Sequence, residues 1–322
     1  MNANKVIRDL LNEKGPVQQV YWVACGGSLI DLYPAHLLLN AESAQLESGW
    51  YNAGEFLLMP PKKLGRGSLV VVCSHSGNTQ ESVDAAVLAY EAGARVITLT
   101  DRAGSKCDDP RFVSWIYPWG DGVPTSEVPS GITLLLVAEL LKAQEGFAKY
   151  EALVEGVKKM DAILEAAKKK VNAELGVAFA DICQKHPFFY ILGSGPNFSQ
   201  TYGFAICSLM EMQWQHCSYI HSGEYFHGPF EVTEPGVFYF LQMGSGICRK
   251  MDQRALDFLE KYTDSYMVLD ALDYGMDQID MSVRDYLDPV LFYAMNVELR
   301  AARGRRFDHS PDVRRYMGIV KY

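Results

Sequence analysis

The 322-residue sequence lacks several features that would assign it to a class at once. It has no run of 18 or more apolar residues free of charge, which excludes a membrane-spanning helix. Its seven cysteines include no C-x-x-C pair, so neither a disulfide framework nor a zinc ribbon is indicated. Positive charge is not in excess either. The net charge of −9 argues against a general nucleic-acid-binding surface.

Two targeting and cofactor signals are missing as well. The N-terminal residues lack the basic-then-apolar layout of a signal peptide, so the cytoplasm is the expected compartment. No glycine-containing turn carries the complete G-x-G-x-x-G pattern. These turns therefore do not indicate a dinucleotide site.

The sequence does contain a repeated alternation of strand-like and helix-like segments. Short apolar segments rich in β-branched and aromatic residues have the length of buried strands, and they lie at 20–24, 69–73, 95–100, 112–117, 188–192, 237–241 and 266–269. Helical patterns separate them, including a single predicted helix over 198–214. This alternation predicts an α/β protein with parallel sheets covered by helices on both faces.

The alternation occurs twice along the chain. Gly27 and Gly195 each follow the first strand of a set and lie 168 positions apart, and Cys73 and Met243 lie 170 positions apart. The similar spacing suggests a duplicated unit. We therefore expect a first domain at 1–150, a helical connector at 151–186 and a second domain at 187–322.

A hydroxyl-rich loop, Ser74-His75-Ser76-Gly77-Asn78-Thr79, follows the second predicted strand. Ligands bind at the carboxyl ends of strands in open α/β sheets, and the N-terminus of the next helix favours an anion. One hydroxyl in such a place is more often only a helix cap. Three hydroxyls in six residues favour phosphate. The turn after the first strand, with Ser28 as the expected N-cap, is a weaker candidate.

A second cluster of titratable residues lies at 211–231, where three histidines and three glutamates fall in 21 residues. Glu211 ends an apolar helical segment, where partial desolvation would make it a stronger base; pairing with His216 fits the spacing equally well. His227 precedes Gly228-Pro229, and an imidazole in such a turn can act as acid or base near neutral pH. Zinc is a competing interpretation, but H-E-x-x-H and C-x-x-C spacings are absent.

Taken in order, these motifs resemble the sugar isomerase (SIS) domain family, and in particular tandem-SIS proteins such as the isomerase half of glucosamine-6-phosphate synthase. The resemblance rests on residues 24–28, 74–79, the Glu211 helix and 227–229. Within that family, residues 50–56, 211–214, 222–231 and 311–317 resemble the fructosamine-6-phosphate deglycases. The resemblance implies two tandem flavodoxin-like SIS domains, each a parallel sheet flanked by helices.

The resemblance also implies binding roles. Ser74, Ser76 and Thr79 match the phosphate-binding loop of the family, and His75 stands where the synthase has glutamine. The sugar-facing turn and the motif around the family histidine supply three further substrate-binding candidates, Gly27, Ser28 and Glu224. Gly27 replaces a threonine of the synthase, so a direct hydroxyl contact at this position is lost.

For catalysis, the resemblance places Glu211 on the proton-shuttling glutamate of the family and His227 on the histidine used for ring opening or acid catalysis. In the synthase this histidine comes from the neighbouring subunit, which implies a homodimer. The aromatic segment 225–230, costly to leave exposed, also favours a dimer. The C-terminal lysine of the synthase has no clear counterpart, because the tail has Arg314, Arg315 and Tyr316 instead.

The expected reaction is deglycation of a 6-phosphorylated Amadori compound to a hexose 6-phosphate and a free amine. Proton shuttling next to a carbonyl needs a base, an acid and a dry pocket, so we expect neither a metal nor an organic cofactor. The expected partners are a small phosphosugar and a second copy of the chain, with no nucleic acid and no membrane. The alternatives are a phosphosugar aldose-ketose isomerase or glucosamine-6-phosphate deaminase, and a non-catalytic sugar-phosphate sensor.

Overall fold

A computed structural model describes residues 1–321. The chain forms two compact units, Met1–Lys158 and Lys159–Tyr322, and the boundary falls inside the long helix Tyr150–Glu174. No helix within residues 1–321 combines the length and the apolarity needed to cross a bilayer.

The first unit contains a five-stranded parallel sheet with the spatial order β2-β1-β3-β4-β5. Its strands are β1 (Gln19–Ala24), β2 (Glu47–Asn52), β3 (Ser68–Cys73), β4 (Arg95–Thr100) and β5 (Val113–Ile116). In the register of the sheet, Ala24 at the end of β1 lies beside Cys73 at the end of β3. The carboxyl ends of these two neighbouring strands therefore open onto the same edge.

Helices cover both faces of the first sheet. They are α1 (Ala3–Lys14), α2 (Gly26–Glu42), α3 (Ala53–Leu58), α4 (Gln80–Glu91) and α5 (Pro129–Gln144). Tyr21 and Val70 pack in one core with Phe56 of α3 and Ala86 of α4. Trp22, which points to the opposite face because side chains alternate along a strand, is buried as well. Burial on both faces explains why β1, β3 and β4 are continuous apolar runs.

The second unit repeats this plan with a four-stranded parallel sheet of spatial order β7-β6-β8-β9. Its strands are β6 (Phe188–Gly193), β7 (His216–His221), β8 (Tyr239–Met243) and β9 (Tyr266–Asp270). The helices are α6 (Tyr150–Glu174), which spans the unit boundary, α7 (Gly176–Lys185), α8 (Phe198–Gly203), α9 (Arg249–Tyr262) and α10 (Asp288–Phe307). The expected α/β class with two parallel sheets is confirmed, and both sheets share the order 2-1-3-4.

The predicted helix over 198–214 is wrong in its second half. After α8 the chain continues as a π-helix, Phe204–Glu211, and the helical conformation has ended at Trp214, which has a φ of 52°. Turns with i→i+5 hydrogen bonds are rare and occur mostly at functional sites. The wider turn sets where the helix ends, and Glu211 is its last residue.

All seven predicted strands are present, with bounds that differ by at most two residues, but β2 and β7 are missing from the prediction. Both strands lie at the edge of their sheet and are only partly buried. In β2 the two end residues are exposed and the four central residues are half-buried. Their Gly, Ser and His residues hide the apolar pattern that identifies a central strand.

Candidate functional site

The first unit has its topological switch point between β1 and β3. From β1 the chain crosses to β2 on one side, and from β3 it crosses to β4 on the other. In open α/β sheets the ligand crevice lies at this point, outside the carboxyl ends of the two strands. The two loops that border it are the ones singled out in the sequence, at 25–28 and 74–79.

Two hydroxyls of the second loop, those of Ser74 and Thr79, are hydrogen-bonded to each other. Ser74 Oγ donates a hydrogen bond to Thr79 Oγ1 at 3.1 Å. Thr79 is the N-cap residue of α4, but its side chain makes no capping hydrogen bond to the helix. The structure therefore argues against the capping interpretation at Thr79, and the first N–H groups of α4 face the loop without intrahelical partners.

Gly77 gives this loop its shape. Its φ is +65°, and a Cβ added there would lie 2.0 Å from Ser105 Oγ and 2.7 Å from Thr100 Oγ1. Both the backbone conformation and the lack of space therefore require glycine.

His75 is held by two residues that the sequence did not indicate. Its Nδ1 lies 2.9 Å from Tyr117 Oη, and its Nε2 lies 3.4 Å from Asp101 Oδ2. The ring also contacts Trp119 edge-to-face, with centroids 4.8 Å apart. The imidazole thus has a fixed orientation beside the hydroxyl loop. Tyr117 lies 42 positions away in sequence, so no local motif joins them.

The first loop differs from its expected form. The N-cap of α2 is Cys25, and Ser28 lies in the first turn of the helix, so the prediction that Ser28 is the cap is wrong. Its side chain lies beside that of Cys73, the last residue of β3, and burial raises the pKa of the Cys73 thiol. A Cβ on Gly27 would meet no atom within 4 Å, so there is open space beside this residue.

The equivalent switch point of the second unit, between β6 and β8, is filled by carboxylates. Asp252 accepts hydrogen bonds from Ser194 Oγ at 2.7 Å and Gly244 N at 3.1 Å. Asp288 accepts from Ser245 N at 2.7 Å and from Ser245 Oγ at 2.6 Å. Burial raises the pKa of both groups, that of Asp288 to about 8. The protein's own acids occupy the place where a phosphate would bind.

Glu211 is paired with the C-terminal tail rather than with His216. Arg314 Nη2 donates a hydrogen bond to Glu211 Oε1 at 2.9 Å. The Arg314 side chain is 21% exposed and the Glu211 side chain is 24% exposed. The pairing with His216 that the spacing allowed is not found, and the carboxylate lies partly buried at the end of the π-helix. Within residues 1–321, Oε2 of Glu211 makes no hydrogen bond, so one carboxylate oxygen is held and the other is open.

Glu224 and His227 belong to one short turn after β7. The 3₁₀ segment Tyr225–His227 follows Glu224, and Gly228 with a φ of +138° redirects the chain before Pro229. Both Glu224 and His227 are exposed, and the His227 imidazole makes no hydrogen bond within residues 1–321. No hydrogen bond or ion pair in that part of the chain joins either residue to Glu211.

The aromatic residues of this segment are covered within their own unit. Tyr225 is buried, and Phe226 and Phe230 pack against Phe258 of α9 with ring centroids 5.6 and 5.7 Å away. The argument that this stretch needs a partner subunit to cover it is therefore wrong. His221 is also structural, because its Nδ1 accepts a hydrogen bond from Gly223 N at 3.0 Å and burial lowers its pKa.

Across residues 1–321 no group of three or more His, Cys, Asp or Glu side chains is placed to hold a metal ion.

A parallel sheet of order 2-1-3-4-5 with two loops at its switch point is the flavodoxin-like arrangement of open α/β proteins. The model of the SIS domain matches residues 47–113. The fructosamine deglycase FrlB of Bacillus subtilis is 37% identical over 323 residues, which cover 99% of this chain and 98% of that protein. The chain belongs to the SIS-domain family, in the group that contains the fructosamine deglycases.

Two further comparisons support this assignment. The fructoselysine 6-phosphate deglycase of Escherichia coli is 28% identical over 317 residues, covering 96% of this chain and 88% of that protein. The crystal structure of a candidate phosphosugar isomerase from Salmonella typhimurium is 34% identical, with a TM-score of 0.95 over 100% of this chain and 96% of that one.

Proposed function

We propose that this protein is a fructosamine-6-phosphate deglycase, which cleaves 6-phosphorylated Amadori compounds to a hexose 6-phosphate and a free amine or amino acid. The observation that carries the proposal is the 37% identity to a fructosamine deglycase along nearly the whole of both chains. The net reaction consumes water, so the enzyme acts as a hydrolase. Its place of action is the cytoplasm, where charged sugar phosphates are retained.

The loop 74–79 binds the 6-phosphate in this proposal, with contacts from Ser74, Ser76, Thr79 and the first N–H groups of α4. The open hydroxyl of Thr79 and the exposed one of Ser76 support this role. His75 contributes to the same site through its imidazole ring, which Tyr117 and Asp101 hold beside the loop. Binding energy from this non-reacting group then serves to position the reacting end of the sugar.

Glu211 is the base in this proposal. It removes a proton from C1 of the open-chain ketoamine to give an enaminol, and the proton is returned at C2. The product is a C1 imine, to which water adds before the amine leaves. Arg314 supports this role because it holds Oε1 and leaves Oε2 to carry the proton.

His227 is the acid that opens the ring or protonates the leaving nitrogen, and we propose that it acts in the neighbouring subunit of a homodimer. Its exposure and its lack of a hydrogen-bond partner within residues 1–321 support action outside its own chain. Gly27, Ser28 and Glu224 line the remainder of the substrate site in this proposal.

The test replaces Glu211 with Gln, which keeps the shape and the hydrogen bond to Arg314 but removes the basic oxygen. With 6-phosphofructosyl-lysine as substrate, turnover falls by about 10²-fold to 10⁴-fold. Glu231→Gln, an exposed glutamate of the same segment, is the matched control and keeps wild-type turnover. In D₂O the wild type places deuterium at C2 of the released hexose 6-phosphate.

Mixing inactive Glu211→Gln with inactive His227→Asn restores part of the activity, because hybrid dimers contain one intact pair. A fully active Glu211→Gln enzyme would contradict the proposal, as would release of the amine with fructose 6-phosphate as the first product, because that product requires no proton transfer from C1.

A further inference from the structure

The C-terminal tail, residues 308–321, returns to the end of the π-helix and covers it. Asp308, with a φ of 48°, ends α10 in the left-handed region and turns the chain. The ring of His309 contacts Trp214 with centroids 4.5 Å apart, and its carbonyl accepts a hydrogen bond from Gln213 Nε2 at 3.3 Å. With the ion pair between Arg314 and Glu211, the tail is held at several points along this end of the unit.

The tail and the π-helix end line an open cavity of 630 Å³. Glu211 lines it together with Trp214, Met210, His216, Arg315 and Met317. This volume is in the range of pockets that bind small organic ligands. The walls combine apolar side chains with cationic groups, and the reacting carboxylate of the proposed mechanism lies at the same cavity.

The charges around the cavity are not balanced. Arg314 is matched by Glu211, but the Arg315 guanidinium lies over the ring of Trp214, 3.9 Å from its centroid. Within residues 1–321 no carboxylate forms an ion pair with Arg315. The guanidinium is therefore positioned by stacking, while the N–H donors at its edge can receive a planar anion such as a carboxylate.

In an Amadori compound derived from an amino acid, a carboxylate-bearing group is attached to the same nitrogen as the reacting carbon. Glu211 acts at C1, and C1 carries the nitrogen of the amine. In an α-linked amino acid, the carboxylate carbon lies about 2.5 Å from that nitrogen and so within about 4 Å of C1. In an ε-linked lysine the carboxylate lies at the far end of an aliphatic chain. The apolar side chains of Trp214, Met210 and Met317 suit contact with that chain.

We propose that the tail cavity binds the amino-acid part of the substrate and that Arg315 recognises its carboxylate. The assignment rests on the proposed function, since it needs Glu211 to act at C1, and it adds the residue by which the enzyme distinguishes 6-phosphofructosyl amino acids from 6-phosphofructosyl amines without a carboxylate. Arg315 is a specificity-determining residue that touches the leaving group and takes no part in proton transfer.

The test compares substrates that differ only in the carboxylate. One pair is 6-phosphofructosyl-glycine and 6-phosphofructosyl-glycinamide, and the other is the ε-linked lysine compound and its cadaverine analogue. For whichever pair the wild type accepts, kcat/KM is at least about tenfold higher for the compound with the carboxylate than for the compound without it. Arg315→Gln abolishes the preference, because kcat/KM for the carboxylate member falls to the level of the carboxylate-free member. Arg315→Lys retains part of it, because lysine keeps the charge but not the planar fork.

Arg306→Gln is the matched control, since this exposed arginine of α10 pairs with Asp181 and does not line the cavity. It keeps the wild-type preference. Equal kcat/KM for both members of each pair in the wild type would overturn the assignment, and so would an undiminished preference in Arg315→Gln. Failure of the wild type to release an amine from any of the four compounds would instead contradict the proposed function.

Discussion

At the scale of single residues, the side chains proposed to contact substrate are held by neighbours but keep a functional atom free. Thr79 precedes α4, and its side chain makes no capping hydrogen bond to that helix. Glu211 accepts a hydrogen bond from Arg314 on Oε1, while Oε2 makes none within residues 1–321. His75 is oriented by Tyr117 and Asp101. Groups fixed in this way lose little conformational freedom when a ligand binds.

The double substitution Ser76→Ala with Thr79→Ala tests the phosphate loop at this scale. Each charge-assisted hydrogen bond to the phosphate contributes roughly 1.5 to 3 kcal/mol, so KM for 6-phosphofructosyl-lysine rises by at least about tenfold. Steady-state kinetics with the phosphorylated and unphosphorylated compounds provide the measurement and its control. An equal change in KM for both compounds would show that the loop does not bind the phosphate.

At the scale of elements, the two switch points have diverged. In the first unit the loop after β3 leaves Ser76 exposed, whereas in the second unit the loop after β8 is bonded to Asp252 and Asp288. An occupied crevice cannot accept a second phosphate. The proposed phosphate site thus lies in the first unit, and its counterpart in the second unit is a buried polar network.

This network makes a prediction for stability against pH. The pKa of Asp288 is raised from 3.8 to about 8 in the folded state. Below about pH 4 the group is protonated in both states, and its contribution to stability is fully present. As pH rises from about 4 to 8, unfolding releases a proton, and the free energy of unfolding falls. Asp288→Asn removes this dependence, so its Tm rises relative to the wild type between pH 5 and pH 8.

Thermal unfolding at several pH values measures the effect, with the exposed Asp257→Asn of the same unit as the control that follows the wild type. Parallel Tm curves for Asp288→Asn and the wild type would mean that Asp288 is ionised in the folded state throughout this range.

At the scale of the whole molecule, the architecture is predictable because central parallel strands are buried on both faces and read as unbroken apolar runs. The same reasoning misses β2 and β7, whose edge positions leave them half exposed. The hydroxyl loop is found from its local composition.

The sequence does not predict which residues form hydrogen bonds or ion pairs with the candidate site residues. Tyr117 lies 42 positions from His75, and Arg314 lies 103 positions from Glu211. Each pair is brought together only by the folding of its unit. The tail arginines stand out in the sequence, but without the structure nothing connects them to the end of the Glu211 helix.

The most direct test of the central claim is a product assay with purified wild-type protein. With 6-phosphofructosyl-lysine we expect hexose 6-phosphate and free lysine in equal amounts, and at most a trace from unphosphorylated fructosyl-lysine. Glucose 6-phosphate and fructose 6-phosphate, offered without an amine, remain unconverted. Rapid interconversion of these two hexose phosphates, with no lysine released from the phosphorylated Amadori compound, would contradict the account and identify an isomerase instead.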